Sequence, residues 1–288
     1  MDAGTSGIYL YGIVTGDRPL PGGPGIDGLH PIYRVAWGNV RAVVSTVSLA
    51  EFGEAPLQEK FRDFSWMEMK IRAHERILED VMRGQSVLPC RFCTIYRSDQ
   101  RVRHLLVRHY QQCLDTLKAL QDMEEWGIKA YVHEEVLRTH LLQVDTELQR
   151  MERECRQRPP GSAYLLRRRL AQRVMDRLEQ VSMQLNQQVV QTLRLHAVSA
   201  EEIVSSLPPP SPMGLRLIVN EAYLIPKMRV SSFAAAAQML REGLHDQGIQ
   251  LVRSGPWPPY HFSPRLELSD PPPQLVERRH PSPGPCLV

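Results

Sequence analysis

The sequence predicts an α+β protein of two domains, and three observations predict it. The chain has 288 residues, more than one ordinary core of roughly 100 to 150 residues requires. Three strand-like runs precede the first helical pattern. The second half reads in the order strand, helices, strand, helix, strand.

Residues 8–14 (IYLYGIV) are apolar on both faces of a strand, with Tyr9, Tyr11 and Ile13 pointing one way and Ile8, Leu10 and Val14 the other. Such a strand needs cover on both sides. A Pro/Gly-rich loop follows, in which PGGPGIDG (21–28) lacks the Lys-Ser/Thr of a phosphate loop and any strand-to-helix passage, so it reads as a turn. Runs 32–37 and 40–48 then flank Gly38-Asn39, the two-residue spacing of a tight hairpin. From Leu57 the positions Phe61, Phe64, Met67, Ile71, His74, Leu78 and Val81 recur at three-four spacing and predict one amphipathic helix stopped at Gly84. Residues 87–96 (VLPCRFCTIY) read as a strand interrupted by Pro89. Ser98 can cap a helix that carries Val102, Leu105, His109, Cys113, Leu117 and Leu120 on one face. These elements make a first α+β domain, residues 1–124, with a mixed sheet and helices.

Residues 126–132 (WGIKAYV) predict the strand that opens a second domain, residues 125–264. Leu137, Leu141, Val144, Leu148, Met151 and Cys155 keep an unbroken four-three alternation, the seam of a coiled coil. Arg158-Pro-Pro-Gly161 breaks it, and a second long helix to about residue 196 folds back, giving a helical hairpin over residues 134–196. Residues 215–225 (LRLIVNEAYLI) read as a strand, followed by an alanine-rich helix capped by Ser231 and stopped at Gly248, and a last strand 249–253. With one more strand at about 203–207, this order is a ferredoxin-like βαββαβ sandwich carrying the hairpin at its first crossover. The Pro-rich, polar tail 265–288 is expected to be disordered.

The last strand runs into GPWPPYHF (255–262), where three prolines cannot donate to a ladder and predict a stiff extended arm presenting Trp257, Tyr260 and Phe262. The plainer alternative is that these aromatics lid the protein's own core. The sequence otherwise offers little chemistry. Cys90 and Cys93 have the C-x-x-C spacing of a redox couple or half a zinc site, but no second pair completes it and on a strand they would point to opposite faces. His104 and His109, and His133 and His140, lack the i, i+4 spacing of helical metal ligands, and no metal or cofactor is assigned. His74 falls on an apolar stripe and reads as a satisfied core histidine, with Glu75 beside it.

Hydrophobic residues make up 42% of the chain and aromatics 7%, the balance of a soluble globular protein. No run approaches the ~18 apolar residues of a membrane span, and no secretory signal is evident, so the expected compartment is the cytoplasm. Five cysteines, an odd and sparse set, fit a reducing compartment. The formal charge is +3, and Arg167, Arg168 and Arg169 read as a solvated helix face, so nucleic acid is not an expected partner.

The strand YLYGIV, the turn Gly25-Ile-Asp-Gly28, His74-Glu75, VLPCRF, the turn Gly161-Ser-Ala-Tyr164 before an arginine-rich helix, EAYLI and GPWPPYHF together resemble the gas vesicle protein GvpF/GvpL family. The resemblance spans roughly residues 7–262. It implies a non-enzymatic accessory protein of the gas vesicle, a hollow shell that excludes water, with a two-domain α+β architecture and a ferredoxin-like C-terminal part. It also implies the strongly apolar shell protein GvpA and other accessory proteins as partners, and a cytoplasmic location at the vesicle. A rigid aromatic surface could hold the shell subunit's apolar face before assembly, and Trp257, Tyr260, Phe262, Tyr9 and Tyr11 are the candidate contacts. The family's pattern has an apolar residue and a glycine where this chain has Cys90 and Cys93.

Overall fold

The computed structural model describes residues 5–204, 215–264 and 266, and the expectation for the tail falls, Leu266 apart, outside them. The chain is a mixed α+β protein with two antiparallel sheets. The first half contains β1 (Ser6–Thr15), β2 (Ile32–Trp37) and β3 (Val40–Ser48), then α1 (Leu49–Phe52), α2 (Glu54–Lys60) and α3 (Phe64–Met82). β4 (Val87–Pro89), β5 (Ile95–Tyr96), α4 (Asp99–Arg108) and α5 (Tyr110–Ala119) complete it. The sheet runs β2-β3-β1-β4, with β5 also paired to β1.

β1 is covered on both faces, as its composition demands, but its phase changes midway. The pairing with β3 slips between Leu10 and Gly12, and a bulge of this kind moves every later side chain to the other face. Val14 therefore joins Tyr9 and Tyr11 in one core, while Ile13 joins Ile8 and Leu10 in the other.

The helix expected from Leu57 to Gly84 is broken at Asp63. Its extended backbone and carboxylate, which accepts from the Trp66 amide at 3.1 Å, start α3 afresh. The new phase buries Trp66, Lys70, His74, Ile77, Leu78 and Val81, and leaves Phe61, Phe64 and Ile71 exposed. Residues 87–96 likewise split into two short strands. Pro89 ends β4, and Cys93 adopts a left-handed backbone at φ 61° before β5. Ser98 caps α4 as its sequence predicts, and His109 separates α4 from α5.

The second half follows as β6 (Met123–His133), α6 (Glu134–Val144), α7 (Thr146–Gln157), α8 (Pro160–Arg194), β7 (Ser199–Glu202), β8 (Leu215–Pro226), α9 (Val230–Leu244) and β9 (Ile249–Trp257). The expected continuous seam is interrupted at Asp145, which is extended and caps α7 by accepting from the Glu147 and Leu148 amides. Leu137, Leu141, Leu148 and Cys155 keep their buried phase, whereas Val144 is exposed. Arg177 to Asp145 at 3.0 Å and Arg173 to Glu147 at 2.9 Å tie α7 to α8. The extra strand lies earlier than expected, at 199–202, paired with β8, and 205–207 fall outside the described residues. Ser231 sits inside α9 and does not cap it, while Gly248 stops the segment at φ 76°.

The four strands order as β7-β8-β6-β9, all antiparallel. The largest core of this half joins Ile128, Val132, Leu137, Leu178, Leu185, Val189, Tyr223 and Phe233 from the sheet and all its packed helices. The arm departs from expectation. β9 does not stop before the prolines but continues to Trp257, because its register against β6 jumps from Gly127↔Ser254 to Glu125↔Trp257 and loops out Gly255 and Pro256. A proline tolerated at a bulge on an edge strand explains how the ladder resumes.

Candidate functional site

Beyond Trp257 the chain leaves the second sheet and returns to the first half. Tyr260 packs against the core that holds Tyr9, Tyr11 and Phe52, and Leu266 packs against the core on the opposite face of the same sheet. The arm is thus a strap between the two halves, tied down by polar side chains of α3 in the first half and of β6 in the second.

The centre of this tie is His74. Its Nδ1 lies 3.0 Å from the Tyr9 hydroxyl and its Nε2 3.0 Å from the Tyr260 hydroxyl. Tyr260 donates its only hydroxyl proton to Glu75 Oε1 at 2.9 Å, so it accepts from His74 Nε2–H. His74 Nδ1 then accepts the Tyr9 proton, and the Tyr9 oxygen accepts the Cys93 amide at 2.9 Å. One neutral tautomer satisfies the whole chain of donors. Burial pulls His74 down to about 4, which keeps the ring neutral. Burial also pushes Glu75 up, in line with its second oxygen being enclosed without a partner.

A second tie lies at the next residue. Glu125, 2% exposed, accepts the His261 amide at 3.0 Å and the His261 ring at 2.6 Å. The hydrogen bond that His261 donates to Glu125 holds the imidazole above its ordinary value. Glu125 lay just outside the strand its sequence predicts, and no periodic signal marks it. Between the halves, beside these residues, is a cleft of about 730 Å³ lined by Arg91, Glu201, Glu202, Tyr260 and His261.

The five aromatic candidates fall into two groups. Tyr9 and Tyr11 are fully buried, and Tyr11 is committed to Ser45 at 2.7 Å and the Ile26 amide at 2.7 Å, so neither offers a surface. Trp257 is 40% exposed, with its indole N–H donated to Ser254 at 3.0 Å. Phe262 is half-buried, as is Tyr260. The sequence pattern did separate His74 correctly as a satisfied core histidine.

Cys90 and Cys93 do not form a reactive pair. Cys90 belongs to one core of the sheet and Cys93 packs against the other, and burial pushes both thiols up to about 12. Protonated thiols are poor nucleophiles and poor metal ligands. Among the described residues no three His, Cys, Asp or Glu side chains gather as a metal site, and no helix is long and apolar enough to cross a membrane.

The chain is 28% identical over 262 residues to gas vesicle protein L of Streptomyces sp. (strain CB03234), covering 88% of this chain and 92% of that protein. It is also 28% identical over 260 residues to gas vesicle protein F of the same organism, covering 88% and 98%. In fold it is similar to the crystal structure of the gas vesicle protein GvpF from Anabaena sp. PCC7120, with a TM-score of 0.66, 19% identity, and coverage of 91% of this chain and 99% of that one. The model of the gas vesicle synthesis protein GvpL/GvpF family matches residues 7–264, from β1 through the strap, and the chain belongs to that family.

Proposed function

We propose that this chain is a non-enzymatic accessory protein of the gas vesicle, cytoplasmic and vesicle-associated. In this reading it holds the shell protein GvpA, together with other accessory proteins, and supports nucleation, assembly or the shell itself. The observation that carries the contact is Trp257, a large aromatic left 40% exposed at the end of an edge strand. Its backbone is fixed by pairing with Glu125 and its indole by Ser254, so little entropy remains to be lost on binding. Beside it, Pro256 and Pro259 line a groove of about 490 Å³ with Met82, Val87, Leu120 and Met123, together with the polar side chains of Glu79, Arg83, Gln85, Glu124 and Lys227. The apolar part of this groove, next to a rigid aromatic, suits the apolar face of a shell subunit, and its charged side chains suit the polar residues that border such a face. Phe262 and Tyr260, both half-buried, remain further candidate contacts in this reading.

The strand order β7-β8-β6-β9 supports reading the second half as a ferredoxin-like sandwich with a helical hairpin inserted between β6 and β7. Division near residue 124 is supported by the cores, which separate at that point apart from Tyr260 and Leu266 of the strap.

The test is capture of purified GvpA by the full chain and by Trp257→Ala, in moderate and high salt. Apolar contact predicts capture that persists in high salt and weakens roughly tenfold in the variant, the loss expected for one interface anchor. Equal capture by both proteins would move the contact elsewhere.

A further inference from the structure

The outer end of the α7–α8 pair carries a charge that nothing within the described residues balances. Arg150, Arg156, Arg173 and Arg177 are each paired with a carboxylate of the same two helices or of Asp145 between α6 and α7. Arg153, Arg158, Arg167, Arg168 and Arg169 are exposed, and none has an ion pair among the described residues. These five positive charges exceed the formal charge of the entire chain, +3. Arg167, Arg168 and Arg169 lie toward the N-terminal end of α8, a helix of 35 residues about 52 Å long, and Arg153 and Arg158 lie in and just after the last turns of α7, which leads into it. Tyr164 at 65% and Leu165 at 61% exposure lie among them, adding an apolar element to the charged one.

We propose that this tip is a docking surface for an acidic, amphipathic segment of a partner protein. Charge complementarity selects the partner: guanidinium groups are weakly hydrated and present forks that match carboxylates in pairs, so arginines left unpaired at a rigid end are poised for charge-assisted hydrogen bonds. Tyr164 and Leu165 supply the contact for the segment's apolar side. Nucleic acid fits less well, because Tyr164 alone offers a face for base stacking at this end, whereas exposed Leu165 beside it suits an apolar side chain. Consecutive Arg167, Arg168 and Arg169 fan around α8, so a segment can engage the tip from more than one side. This surface is remote in sequence from Trp257, and its partner need not be the one held there.

Fluorescence anisotropy of the full-length protein tests the assignment. The probes are a labelled glutamate-rich peptide with leucines at helical spacing, and a labelled oligodeoxythymidine of equal charge. The tip variant is R167Q/R168Q/R169Q, and the control is R62Q/R103Q/R229Q, which removes the same charge from exposed positions elsewhere. The expected result is peptide binding that falls about tenfold in the tip variant, as the loss of several exposed ion pairs requires, and is kept in the control. Matching thermal transitions will show that both variants are folded. No peptide binding by the parent protein, or equal loss in both variants, would overturn the proposal. Tighter binding of the oligonucleotide than of the peptide would overturn it in favour of a nucleic-acid surface.

Discussion

The His74 Nε2 and the Tyr260 hydroxyl meet at 3.0 Å across 186 positions of sequence. This contact closes the molecule: it joins a helix of the first half to the strap that ends the second, and it passes the hydrogen-bond chain on to Glu75. Removing the Tyr260 hydroxyl leaves the buried His74 N–H and the Glu75 carboxyl without a partner, and such orphaned groups cost more than the bond itself contributes. Tyr260→Phe should therefore destabilise the protein by about 2 kcal/mol. Urea unfolding checks this, with a lower midpoint and an unchanged slope expected. A shift below roughly 0.5 kcal/mol, within the range of ordinary surface substitutions, would show that the strap does not hold the fold.

Acid should act through the same histidine. His74 titrates at about 4 in the folded protein against 6.5 for the free side chain. Between these values the unfolded chain binds more protons than the folded one, so stability is complete above 6.5 and is lost as pH falls toward 4. A difference of this size is worth about 3 kcal/mol. Glu75 works in the opposite direction, because a raised carboxyl favours the folded state at low pH and loses that advantage as pH rises. His261, also raised, contributes below its unfolded value and loses its contribution as pH rises through the folded one. His74 is fully buried and dominates on the acid side. Stability measured from pH 7 to pH 4 should fall, and His74→Gln should flatten that slope. A slope unchanged by the substitution would rule out His74 as its source.

Thiol labelling separates a packing role for the cysteines from a chemical one. Burial raises Cys90 and Cys93 to about 12 and Cys113 to about 11, so almost no thiolate exists at neutral pH. With iodoacetamide at pH 7, peptide mapping should find Cys90, Cys113 and Cys155 unmodified until the protein unfolds, and Cys93, which is only half-buried, modified slowly. Rapid modification of Cys93 would restore a reactive role to the pair.

Much of this architecture was legible because strong patterns carried it. The β1 composition, the Gly38-Asn39 turn, Ser98 and the proline break before α8 each act within a few residues of themselves. What was hidden were local resets of phase. Asp63 and Asp145 each interrupt an apolar periodicity that continues on both sides, because an extended residue whose carboxylate caps the next helix wins over the run of apolar spacing. The bulge after Leu10 exchanged Ile13 and Val14 between cores without altering the composition of the strand. The site was half legible: His74 read as a buried polar residue from its stripe, but its partners Tyr9 and Tyr260 come from opposite ends of the chain, and no local rule connects them.

Gly255 offers a way to separate the strap's structural part from the surface it presents. Its φ of 125° is one that side-chain-bearing residues rarely adopt, and an added Cβ would lie 2.9 Å from the Glu125 carbonyl oxygen. Gly255→Ala should therefore cost roughly 2 kcal/mol or more, since backbone strain and a clash with fixed main chain act together. The relief available is to open the bulge, which shifts Trp257 and pulls His261 away from Glu125. Trp257→Ala, by contrast, removes a side chain that is already 40% exposed and leaves the backbone of the bulge free of any clash, so it should cost less than the glycine variant. Measured side by side, both variants should lose capture of GvpA, and the glycine variant should lose more stability than the tryptophan variant. If the tryptophan variant instead lost as much stability as the glycine variant and kept its capture, Trp257 would be a clasp of the strap and not its contact surface.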